Sequence, residues 1–190
     1  FTKKPIIITV GPNGDFSNPY DALEYIKKIN PINTQPSKIY VRVDLIFKKG
    51  YVFDEVFIIE DLYAPWLQIM QEDLTTPLNA TLETLSPFDT MAPILWLRSS
   101  SIGRLYLNIN YTGINPENVH GVLLYKSTVK IAKIYISNVN IGLGVEYNSS
   151  LQDLYEFTSH DIITYPIYAS YNSFIFITNH AYHAPMSIIN

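Results

Sequence analysis

GVLLYKS, residues 121–127, reads alone as a short apolar strand ending in a polar corner, and it decides the fold because it recurs. Set between LWLRSSS (95–101) and the pair LGVEYNS (143–149) and IYASYNS (167–173), it stacks without gaps at offsets of 26, 22 and 24 residues. Every block closes on Ser, and in three of them Tyr-Lys or Tyr-Asn comes just before it. After each block comes a second β-like segment: RLYLNIN, KIYISNVN, DLYEFTS and FIFITN. A period of this length carrying several short strands is what a parallel β-solenoid needs, each pass bonding to the next at about 4.8 Å. Leucine-rich repeats have a similar period, but their Leu-x-x-Leu-x-Leu spacing is not met. A β-sandwich would place Asn-Gly or Asp-Gly hairpin turns between its strands, and this half has none.

Upstream of the repeat, KKPIIITV is a short strand broken by GPNGD. A helix follows, with Asn18 as N-cap, Pro19 at its first position, Asp21 near its positive end and Lys27 and Lys28 near its negative end. Ala22, Leu23, Tyr25, Ile26 and Ile29 make an apolar stripe that must be covered. Ile39, Val41, Val43, Leu45 and Phe47 then alternate with polar residues, as a strand with one buried face does. Residues 72–93 are a long polar excursion and the best loop candidate. The expected organisation is one domain over 1–190: an opening strand and helix (1–38), strands of a first coil (39–71), a long loop (72–93) and stacked coils (94–190).

With 190 residues, 47% of them hydrophobic and 16% charged, the chain can bury a core. A net charge of −4, with 13 basic residues scattered among 17 acidic ones, argues against a nucleic-acid groove. The absence of Cys excludes disulfides and thiolate metal sites. No apolar run reaches the roughly 18 residues of a membrane span, so no membrane insertion is expected. Tyr (15) and Phe (9) are abundant, which favours strands. The start at Phe1 and the apolar close PMSIIN read as a piece of a longer chain.

The opening ITVGPNGDFSNPYDALEYI (8–26), followed by IYVRVDLIFKKGYVFDEVFI (39–58), resembles the start of pectin-lyase-like proteins. In that superfamily a similar Gly-Asp-Phe turn leads into a capping helix and a first coil. The resemblance implies a right-handed parallel β-helix, all-β apart from a helix that closes one open end of the coil. The superfamily includes pectate lyases, pectin methylesterases, polygalacturonases and the tail spikes and tail fibres of bacteriophages. The Asn-Thr-Asp, Asp-Asp, Gly-His-Gly and Arg-Ile-Lys signatures of polygalacturonases are missing, as are the esterase pattern and a dense acidic cluster for Ca²⁺. The expectation is therefore a structural or receptor-binding part of a phage or prophage tail fibre or spike, a virion or cell-surface component. It would form a homotrimer, contact a host-surface glycan or other tail proteins, and use no cofactor or metal. A polysaccharide lyase or glycoside hydrolase is the alternative, and a bacterial surface adhesin a further one.

Stacking on adjacent coils would give the separation of about 5–5.5 Å that a retaining glycosidase pair needs, but Glu146 has no carboxylate neighbour in the repeat register. That leaves Asp153 and Glu156, close in sequence on the next segment, with Asp161 as the weak catalytic candidates. His180 and His183 lack a third metal ligand. His160 and Asp161 are adjacent on a strand and expected on opposite faces. In the register above, Tyr125, Tyr147 and Tyr171 form a stack expected inside the solenoid. Trp96, Val122 and Leu124 are expected to point outward, as a subunit or partner interface, because an exposed apolar patch marks a contact surface.

Overall fold

The computed structural model describes residues 4–28, 41–82 and 92–178. The elements are β1 (Ile6–Val10), α1 (Pro19–Lys28), β2 (Val43–Phe47), β3 (Val52–Phe53), β4 (Phe57–Glu60), β5 (Tyr63–Gln71) and β6 (Leu78–Ala80). They continue with β7 (Ala92–Arg98), β8 (Ser101–Tyr111), β9 (Val119–Tyr125), β10 (Thr128–Glu146), β11 (Ser150–Ala169) and β12 (Phe174–Ile177). Every strand pairing among the described residues is parallel, and the strands make one curled sheet. Among the described residues the structure is therefore all-β apart from α1 and one 3₁₀ turn at Pro116–Asn118.

The pairing order shows how the passes lie on one another. β1, β2, β5, β8, β10, β11 and β12 pair in succession, each a later pass of the chain. A second ladder runs β4, β7, β9 and then the C-terminal half of β10, whose N-terminal half sits on β8. Parallel pairing in register puts like residues above like and builds apolar columns. One column is Ile8, Leu45, Ile69, Leu105, Ala132, Leu154 and Ile177. Another is Phe57, Leu95, Val122, Leu143 and Ile167. All but Ile177 in these two columns are buried, and Ile177 packs against the core from its edge.

α1 forms where the sequence places it. The Asn18 side chain accepts the Tyr20 backbone N–H at 2.7 Å, and Pro19, Ala22, Leu23 and Ile26 are buried. It packs at the β1 end of the sheet, and its Tyr20 hydroxyl donates to the Val56 carbonyl and accepts the Ile58 N–H at 3.1 Å. That hydroxyl occupies the Ile58 N–H of β4 and the Val56 carbonyl just before it, groups that a neighbouring strand would otherwise take, which protects an open edge.

Two expectations about facing are corrected. Val122 (0% exposed) and Leu124 (1%) are core residues, so they offer nothing to a partner. The reason is register: Val122 pairs with Leu95 and Leu143, one residue away from the alignment that set Gly121 against Leu95. A one-residue slip inverts every side chain on a strand. Trp96 is half-buried, with the Arg98 guanidinium 5.5 Å above its ring, and Arg98 is in turn bound by Glu60. The Tyr stack, in contrast, is outside: Tyr147 is 36% and Tyr171 62% exposed. In the 72–93 stretch, residues 78–80 are strand β6 and β7 begins at Ala92, while 83–91 lie outside the described residues.

Candidate functional site

The site is built on a corner that recurs once per pass. Asp61, Ser99, Lys126, Asn148 and Asn172 all have left-handed backbone, with φ of 52°, 49°, 50°, 61° and 59°. The residue after each turns inward: Leu62, Ser100, Ser127, Ser149 and Ser173. The backbone N–H of Leu62 donates to Ser100 Oγ (3.1 Å), that of Ser100 to Ser127 Oγ (3.0 Å), and that of Ser127 to Ser149 Oγ (3.0 Å). Ser149 N–H completes the run on Ser173 Oγ at 3.1 Å. Ser100, Ser127 and Ser149 are buried, so this ladder satisfies groups that would otherwise be stranded away from water. In the last three blocks the closing Ser is thus the residue that locks one corner to the next, and in the first it is Ser100, one residue before the block's end.

Beside this corner runs a groove of about 410 Å³ lined by Tyr63, Ser99, Ser101, Lys126, Thr128, Lys130 and Gln152, with Pro65 and Ser100 beneath. Tyr63 is in register with Ser101, Ser101 with Thr128, and Thr128 with Ser150, two residues before Gln152. The groove therefore crosses four passes at right angles to the strands, a span of about 14 Å at the spacing of parallel neighbours. Hydroxyls, one amide, two ammonium groups and the highly exposed Tyr63 (79%) face into it.

Lys126 joins the groove to the Tyr stack, its Nζ lying 5.5 Å from the Tyr125 ring centroid. Tyr125 and Tyr147 stand 4.7 Å apart and tilted, while Tyr147 and Tyr171 are stacked at 4.3 Å. Because the rings cover one another's faces, they present to solvent a ribbon of ring edges and phenol hydroxyls. The Tyr147 hydroxyl is held above its usual pKa by its hydrogen bond to Tyr171. Burial raises the Glu146 carboxyl at the neighbouring position. His120 is buried at the start of β9 and its pKa falls to about 4, so it stays neutral at physiological pH.

Two of the carboxylates singled out in the sequence have separate partners. Glu156 is held by Lys133 Nζ at 2.8 Å and by the Tyr135 hydroxyl, and Asp153 accepts the Thr178 hydroxyl. His160 and Asp161 are both exposed, and Asp161 has φ 52°, so strand alternation breaks there. His180 and His183 lie outside the described residues, among which no three His, Asp or Glu side chains gather as a metal site. Sequence reasoning missed the groove because its residues come from four passes and converge only once the register is known. The recurring Ser with a polar residue before it was the available signal. Comparison with protein-family models, curated proteins and solved structures found no match to this chain.

Proposed function

We propose that the chain is a right-handed parallel β-helix serving as the receptor-binding part of a phage or prophage tail fibre or spike, and that it holds a host-surface glycan in the corner groove. The observation that carries this reading is the groove's shape and lining together. It runs along the stacking direction across four passes and offers Ser and Thr hydroxyls, a Gln amide and Lys ammonium groups, bordered by the Tyr ribbon. An extended, hydroxyl-rich polymer is the ligand class that such a lining suits, because each pass presents a donor or acceptor at a regular interval. The right-handed winding follows the general rule for parallel crossovers, and the resemblance of residues 8–58 to pectin-lyase-like openings is consistent with the scaffold.

Applying the whole chain to an array of bacterial surface glycans tests the function. Retention of a defined glycan subset is expected, and Tyr147→Ala, which opens the middle of the ribbon, lowers that retention about tenfold, as loss of one or two good hydrogen bonds would. Retention of no glycan, or a Tyr147→Ala variant that binds like the parent, overturns it.

A further inference from the structure

Resting on the glycan-binding reading above, we infer that the corner groove selects an anionic sugar, one bearing a carboxylate or phosphate, through Lys126 and Lys130. The chain as a whole carries a net charge of −4, yet no Asp or Glu lines this groove and two Lys do. Elsewhere among the described residues, Lys27, Arg42, Lys48, Arg98 and Lys133 each have a carboxylate partner within an ion pair, while Lys4, Lys28, Lys49 and Arg104 stand without one but do not line this groove. Among the described residues no carboxylate bridges Lys126 or Lys130, both of which are exposed. Two unpaired ammonium groups four residues apart, amid neutral hydroxyls, leave positive charge for a ligand to meet.

Backbone conformation supplies an independent argument. Of the five left-handed corners, those at Asp61, Asn148 and Asn172 use residue types that tolerate this conformation, whereas Ser99 and Lys126, the two that line the groove, adopt it at φ 49° and 50° without that tolerance. Asn would suit the corner better, as it does at the two later passes. Strain that persists where a cheaper residue would serve is characteristic of positions held for binding. Lys126 is also the residue common to the groove and to the Tyr125 ring, so its ammonium is positioned where the two surfaces meet.

The test uses the whole chain on an array carrying carboxylated, phosphorylated and neutral glycans, with Lys126→Asn and Lys130→Gln as variants, each followed by thermal unfolding. Retention of anionic but not neutral glycans is expected, weakened by added salt. Each variant loses about tenfold in affinity, and Lys126→Asn raises the melting temperature while it weakens binding. The carboxylated and phosphorylated arms identify which anion is taken. If neutral glycans bind as well as anionic ones, or if the variants bind anionic glycans like the parent, the anionic inference falls and the glycan reading stands. If no glycan of any class is retained, both fall.

Discussion

At the scale of single residues, the corner Ser side chains do more for the fold than their size suggests. Ser127 Oγ accepts the buried Ser100 N–H and donates to the Tyr125 carbonyl at 2.8 Å. Ser127→Ala keeps the volume and the backbone but strands that N–H, at a cost of about 1–3 kcal/mol. Urea unfolding should show a lower midpoint with an unchanged slope. That Ser recurs at each block's end was plain in the sequence. Its role was not, because a hydroxyl's partner in a parallel stack sits on another pass, 22 to 38 residues away for this ladder. The Tyr residues teach the converse. Their stacking was legible from spacing alone, but their outward facing was not, since left-handed φ at both Tyr147 and Tyr171 breaks the alternation from which an interior position was inferred.

At the scale of elements, β9 shows how much hangs on one residue. The sequence alignment set Gly121 under Leu95 and against Leu143, whereas the strand pairs Val122 with both. The slip is confined to this pass: β10 and β11 pair Leu143 with Ile167, as the alignment had them. The offsets between passes are unequal, and corners absorb the difference, so a gapless alignment places one block wrongly while keeping its neighbours right. Gly121 itself could not carry a side chain in the strand it occupies, since a Cβ there would lie 2.5 Å from the Gly142 carbonyl oxygen of the next pass. The cap at Asn18 and the buried face of Ala22, Leu23 and Ile26 were readable because capping and amphipathic spacing are local, whereas Tyr25 of the expected stripe is exposed and Ile29 lies outside the described residues. What α1 does for β4 was not local. Tyr20→Phe removes the hydroxyl that serves Val56 and Ile58, and should destabilise the chain by about 1 kcal/mol. Hydrogen exchange is the sharper readout: the Ile58 amide should exchange faster, with amides of β8 and β10 unaffected.

At the scale of the whole molecule, period and composition were enough to expect parallel, mostly β structure, and that much of the architecture is present. Assembly has to be argued afresh, because Val122 and Leu124 are committed to the core. The trimer that belongs to the proposed tail-spike role predicts a solution mass near three chains that persists on dilution, measured by light scattering. A single-chain mass at every concentration removes the trimer from the proposal. The serine ladder also has a direction. From Leu62 through Ser149, each corner N–H is received by a hydroxyl belonging to the pass that comes after it in the chain. On a ribosome, which releases the N-terminal passes first, a newly emerged corner therefore keeps its donor exposed to water until the following pass has been synthesised and laid down. The molecule would grow as a queue in which each turn is sealed by its successor, starting from the end that α1 occupies.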